Sequence, residues 1–396
     1  MHAVRDDVAA IRGLPVNDKI VEGVMEREAF RDHLSARSQL TGFGQRAYED
    51  AMTISYQQMR ILGPGEDLAS IQLEHLGGGV AGFYDFSSRS LVVLEDVFSE
   101  SLEGEETLAH EYVHSMQDAA HDLSKLHNRA SGLRTEYAST LSCVIEGDAT
   151  LTTAIYMAQT HGGEWQARLD SLLASASDGG PLERYSGFNY GECAAFVYRV
   201  WQRGGWDAVD ALFEKPPSTT EQVLHVEKFF AGEGMKLARS IDIGDSIGSG
   251  WRNIASGGFG EFDVYIYLRA AGTANDVARR LAEGWGGGEV SLYSSQPDAS
   301  GRVDDVVTHI ALVWDTRSDY ADFRSAYSQL LKGLDYGAPS LSDGGSRWDW
   351  MGRSDRDSGA ALWDESRLRV DILFGTDPKA VQTGTKALAD YAARQR

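Results

Sequence analysis

Apolar positions along the chain follow two rhythms. From about residue 20 to 60, Val24, Phe30, Leu34 and Leu40 recur at helical spacing, interrupted by Gly42, Gly44 and Gly63-Pro64-Gly65; this predicts a helical lead-in broken by turns. Val80–Tyr84 and Ser90–Leu94 are instead short β-branched and aromatic runs around the turn formers Asp85–Arg89, which predicts a β-hairpin before residue 100. Helical spacing returns over Glu105–Ala120, Arg134–Gln159 and the 181–214 stretch, which stops at Pro216-Pro217. Past about residue 240 the Gly- and Ser-rich segments Gly244–Gly250 and Gly257-Gly258 read as a boundary or linker. Strand-like runs then follow at Val290–Tyr293, His309–Trp314 and Leu368–Phe374, with helical runs at Tyr320–Leu331 and Pro378–Ala392. The expected fold class is α+β: a mainly helical region over 1–240 with a small hairpin or sheet, then a smaller α+β domain over 241–396. In that second domain strand followed by helix occurs twice, a pattern that suggests an internal duplication.

Composition narrows the function classes. With 37 basic and 59 acidic residues the net charge is −22, so a phosphate backbone would be repelled over most of the surface and no nucleic-acid partner is expected. No apolar run approaches the 18 or so residues needed to cross a bilayer, so no membrane span is expected. The opening Met1–Asp7 lacks the apolar stretch of a signal peptide, which fits either cytosolic residence or removal of a leader. Cys143 and Cys193 are too few for a disulfide scaffold and sit in apolar helical patterns, where buried free thiols are the expected outcome and a single bridge the alternative.

His110-Glu111-Tyr112-Val113-His114 carries the chemistry. Ten histidines among 396 residues give about 0.04 chance matches to HExxH even if every acid counted as Glu. On a helix Leu108, Ala109, Tyr112, Val113, Met116, Ala119 and Ala120 share one arc, and His110, Glu111, His114, Gln117 and Asp118 share the opposite one. Imidazoles one turn apart can reach one tetrahedral zinc ion, with Glu111 beside them as general base toward a water the metal activates. Glu146 is the expected third ligand, because its helical neighbours Ser142, Cys143, Ala149 and Thr150 are small enough for close helix packing; Glu136 is the fallback. Asp118, one turn beyond His114, could orient that imidazole or be a lone surface acid. His225, downstream of Glu146, could donate to a developing oxyanion, or be a structural residue tied to Glu221 one turn earlier.

These residues resemble a family. HExxH followed by a helical Glu in Glu146-Gly147-Asp148-Ala149 resembles the gluzincin (thermolysin-like) zinc metallopeptidases. Gly82-Phe83-Tyr84-Asp85, the run HEYVHSMQD and Pro216–His225 are similar to a group of bacterial and archaeal gluzincin-like proteins that reads PPxSTEQVLHPEKY. This chain departs from that pattern at Thr219, Val226 and Phe229. The resemblance spans about residues 70 to 235, with a faint continuation at Gly284–Gly287. It implies a peptide or protein substrate, one zinc ion held by His110, His114 and Glu146, and a location outside the cytoplasm, secreted or envelope-attached. Leu91–Leu94 is the expected edge strand for pairing extended peptide. The alternative is a catalytically silent, zinc-stabilised binding or scaffold protein. The sequence leaves oligomeric state and cleavage specificity open.

Overall fold

Two sheets and a set of long helices account for the structure, a computed structural model that describes residues 2–32, 43–98, 101–130, 136–176 and 179–395. The helices used below are α1 (His2–Arg12), α2 (Phe43–Gln58), α3 (Leu102–His121), α4 (Tyr137–His161), α5 (Pro181–Tyr190), α6 (Glu192–Glu214), α7 (Thr220–Leu224), α8 (Glu261–Ala270), α9 (Arg317–Gly333) and α10 (Pro378–Arg394). A three-stranded sheet runs in the order β1 (Val21–Met25), β3 (Ser90–Leu94), β2 (Gly82–Asp85). A seven-stranded sheet runs in the order β4 (Arg252–Gly258), β5 (Trp285–Ser294), β6 (Val306–Trp314), β10 (Arg369–Gly375), β9 (Ser358–Asp364), β8 (Arg347–Met351), β7 (Ser340–Ser342), every pair antiparallel. The α+β class therefore holds, and among the described residues no helix is long and apolar enough to cross a membrane.

The predicted hairpin is present: β2 and β3 pair antiparallel, with Tyr84 opposite Leu91. Three expectations need correction. Val24 lies in a strand, not a helix, because Val21–Met25 finds a parallel partner in β3 with Val24 opposite Val93, and tertiary pairing overrides the local spacing; Leu34, Leu40 and Gly42 lie outside the described residues. β3 is the central strand of its sheet and both its edges are used, so the free edge nearest α3 belongs to β2. Gly257-Gly258 is not linker but the end of β4, paired with Val290 and Glu289.

The core explains how the halves are joined. Val144, Phe196 and Val200 from the helices and Trp285, Ile310 and Trp363 from the large sheet belong to one buried apolar cluster, so the chain on either side of residue 240 shares packing. Thr308 Oγ1 on β6 donates to Ser55 Oγ on α2 at 2.9 Å, and Arg60 reaches the Leu334 carbonyl and Asp357. A second cluster packs Leu108, Ala109, Tyr112, Val113 and Met116 of α3 against Leu91 and Val93 of β3 and Ala149 of α4.

Cys143 on α4 and Cys193 on α6 form a disulfide, not the free thiols expected. The two helices lie close enough for this because residue 147 is glycine: a Cβ there would stand 2.5 Å from the Cys193 carbonyl oxygen. Small residues on this face of α4 thus serve the crossing with α6 as well as the approach to α3.

Candidate metal centre and cleft

α3 begins at Ser101, whose Oγ accepts from the Gly104 N–H at 3.1 Å, and ends at Asp122 in the left-handed region. Its apolar arc is buried as expected up to Met116, whereas Ala119 and Ala120 are exposed. The polar arc is buried too: Glu111, His114, Gln117 and Asp118 are all below a tenth exposed. A polar helix face inside a protein requires partners for each group, and those partners come from α4 and from Tyr84 on β2.

Three ligand atoms converge. His114 Nε2 lies 3.1 Å from His110 Nε2, and Glu146 Oε2 lies 3.2 Å from His110 Nε2 and 3.5 Å from His114 Nε2. Ligands about 2.0–2.1 Å from a tetrahedral zinc ion stand about 3.3–3.4 Å apart, so the triangle has the right size. The neutral form of His114 also presents its lone pair to the triangle. Gln117 Nε2 donates to the Ile145 carbonyl at 3.0 Å and to Asp148 Oδ2 at 2.9 Å, which leaves its Oε1 to accept, and His114 Nδ1 is 2.9 Å from that oxygen. Nδ1 therefore carries the proton and Nε2 faces the triangle. Asp148 is held in turn by the fully buried Arg12, through Nε to Oδ1 at 2.7 Å, and Arg12 Nη2 continues to Asp210 at 2.5 Å.

The electrostatics follow from this packing. Burial favours a neutral Glu146, but the charge of His114 and hydrogen bonds from both imidazoles outweigh it and hold the carboxyl well below its usual range. Burial likewise works against a charged His114, yet the attraction of Glu146 pushes it up to about 10. Two imidazoles and a carboxylate brought this close together form the donor set of a cation site. Burial raises Glu111, with the two histidines opposing, and its carboxylate accepts a hydrogen bond from the backbone of Tyr84 on β2.

A cleft of about 280 Å³ reaches His110 and Glu111 and is lined besides by Gly82, Thr107, Thr150 and Tyr190. An ion pair between Arg168 and Glu106 lies at the same cleft. Tyr190, 44% exposed at the end of α5, has its ring centroid 6.0 Å from that of His110. The charge of Glu146, then burial, raise its hydroxyl well above the usual tyrosine range, so it stays a donor. Tyr190 and Gln117 are the residues the sequence reading did not single out in these roles. Tyr190 lies downstream of Glu146, as an oxyanion donor would, but its Gly187-Phe188-Asn189-Tyr190-Gly191 context carries no spacing signal.

Other sequence candidates go elsewhere. His225 is not in this cluster: its Nε2 is 2.9 Å from Glu261 Oε1 on α8, and it faces that acid, not Glu221. Asp118 does not hold His114; it accepts from Tyr84 Oη at 2.9 Å and from the Leu123 N–H at 3.1 Å. Glu136 is no ligand, since its Oε1 accepts from Thr220 Oγ1 at 2.6 Å. The 216–225 segment is a clasp: Pro217 O accepts from Thr140, Thr219 caps α7 through Gln222 N, and Gln222 Nε2 donates to Glu233 O. Glu221, Glu233 and Asp315 could also surround a cation, but Lys228 Nζ already lies 2.6, 3.4 and 3.3 Å from them.

A family model described as "Domain of unknown function (DUF8575)" matches residues 250–384, which covers the large sheet and leaves α3 and α4 outside. Searches of curated proteins and of solved structures returned no match.

Proposed function

We propose that the chain is a zinc-dependent peptidase of the gluzincin type. The observation that carries this reading is the convergence of His110 Nε2, His114 Nε2 and Glu146 Oε2 beside the buried Glu111, with His110 and Glu111 lining a cleft next to an open strand edge. His110, His114 and Glu146 would hold the ion, which when bound would supply Lewis-acid polarisation of the scissile carbonyl and of water.

The protein's own groups do the rest. Glu111 is the base: burial raises its carboxyl toward the range where it can take a proton from water and return one to the departing amine. Tyr190, kept neutral by the acids around it, donates to the oxygen that gains charge as the carbonyl becomes tetrahedral. Extended peptide pairs with the free edge of β2, whose Tyr84 backbone already touches Glu111, and this brings the scissile bond over the cleft. The Cys143–Cys193 bridge supports work in an oxidising compartment, outside the cytoplasm.

The test uses a mixed peptide library and metal analysis on the same preparations. Cleavage should stop with chelator, return with zinc, and be lost in Glu111→Gln while zinc content is unchanged. A wild-type protein that binds one zinc ion and cuts nothing would support the scaffold reading instead.

A further inference from the structure

A second cavity, of about 320 Å³, lies between α2, the start of α4, α5 and strands β4 and β5, and is lined by Tyr48, Tyr56, Glu136, Tyr185, Phe259 and Asp263. It shares no residue with the candidate metal centre. We propose that this cavity binds a primary organic ammonium ion, seated on Glu136 and Asp263 and walled by tyrosine rings.

Glu136 is 5% exposed, and while its Oε1 accepts from Thr220, its Oε2 is buried and has no hydrogen-bond partner among the described residues. A buried carboxylate oxygen left without a donor is costly, and native structures keep few of them outside functional positions. Asp263 is partly buried; Tyr185 Oη donates to its Oδ1 at 2.7 Å and the Gly260 N–H to its Oδ2 at 2.8 Å. The charges that act on Glu136 are those of Asp263 and Glu221, both acidic, and no described Lys, Arg or His pairs with Glu136 or Asp263. Two acids thus face one cavity with no counter-ion. The fit at Glu136 is built in: a Cβ at residue 260 would overlap its Oε1, so glycine there lets the carboxyl reach its place.

The chemistry of the walls selects the cation. A hard metal ion takes six or more oxygen ligands, and here one carboxylate oxygen is free. An ammonium group needs a hydrogen-bond acceptor and tolerates aromatic walls, to which its charge is attracted. Tyr56 and Tyr185 present parallel rings, 2° apart in plane and 6.5 Å between centroids, at that cavity. The volume is at the small end for ligand pockets, which suits an alkylamine or a lysine-like side chain more than a large cofactor.

Calorimetric titration of the full chain with n-butylammonium chloride tests this at about pH 9, above the pKa of about 8 to which burial pushes Glu136 and below the range in which an alkylammonium loses its proton, with 1-butanol and tetramethylammonium chloride as comparisons. Saturable butylammonium binding is expected, at least about tenfold tighter than either comparison, because a charge-assisted hydrogen bond distinguishes them. Glu136→Gln should weaken butylammonium at least about tenfold while circular dichroism stays native. If that variant does not fold, Asp263→Asn is measured in its place, with the same expectation. Butanol or tetramethylammonium binding as tightly, unsaturable butylammonium heats, or a folded variant with unchanged affinity would overturn the assignment.

Discussion

Gln117→Leu isolates the group that aims His114. The side chain is fully buried and makes three hydrogen bonds, accepting from His114 Nδ1 and donating to the Ile145 carbonyl and Asp148 Oδ2. Leucine is one atom shorter and satisfies none of them. His114 then loses the acceptor that fixes its tautomer, and loss of such an outer partner costs about 10–100-fold in metal affinity, or about 1.4–2.7 kcal/mol. Two acceptors also lose a donor in a dry interior, which adds about 2–4 kcal/mol of folding cost before the apolar gain of leucine offsets part of it. Zinc affinity is read by competition with a chromophoric chelator near pH 7.5, and stability by urea denaturation of the metal-free protein. Gln117→Glu sharpens the test, since it restores an acceptor for Nδ1 but sets a second carboxylate against Asp148; its affinity should recover while its stability does not. A natively folded Gln117→Leu protein that binds zinc within twofold of the parent would refute the orienting role.

Three further outcomes follow from the same packing. Arg12→Met leaves Asp148 buried without its cation and should cost about 3–5 kcal/mol in urea denaturation, and combined with Gln117→Leu the two costs should not add, because both act through Asp148. Replacing Cys143 and Cys193 by alanine opens a loop with sequence separation 50, and the unfolded-state entropy this releases corresponds to a loss of about 4 kcal/mol; the parent should therefore lose thermal stability on addition of reductant and the variant should not. Burial, with Asp263 adding to it, pushes Glu136 up to about 8, so between its ordinary pKa of 4.5 and pH 8 the folded state holds a proton the unfolded chain has released. Stability should therefore fall as pH rises through that window, by up to about 5 kcal/mol, and Glu136→Gln should flatten the fall; equal pH slopes in both proteins would contradict the burial of a neutral acid.

How much of this could be read in the sequence depends on the distance over which each feature is specified. HExxH is a local pattern, and the two histidines meet because a helix brings residues i and i+4 together whatever else the chain does. Glu146 was reachable because small residues around it signalled a close helix crossing. The hairpin at 82–94 was legible from turn formers between β-branched runs. By contrast, β1 is a strand only because β3 offers it a partner about seventy residues away, and β4 reads as linker because two glycines hide a strand whose pairing is supplied by β5. Gln117 and Asp118 illustrate the limit most directly. Both sit on the polar arc, and which of them faces His114 is decided by where Ile145, Asp148 and Tyr84 lie after folding.

The same logic explains why the 216–225 segment looked catalytic. Its dense run of Thr, Glu, Gln and His is what an active site needs, but it is also what a junction needs when helices and a sheet with different polarity must be joined without stranding buried backbone groups. Thr220 ties α7 to Glu136 at the head of α4, His225 ties it to Glu261 at the head of α8, and Lys228 links Glu221 to Asp315 after β6. Those contacts hold the start of α4 against the large sheet, and α4 carries Glu146 ten residues further on. The large sheet therefore supplies no residue to the His110–His114–Glu146 cluster, yet it fixes the helix on which Glu146 rides, while Arg12 on α1 fixes the acid behind Gln117. A cluster that looks local in sequence is thus clamped from both termini, and loosening either clamp should separate Glu146 from the histidine pair before it disturbs the pair itself.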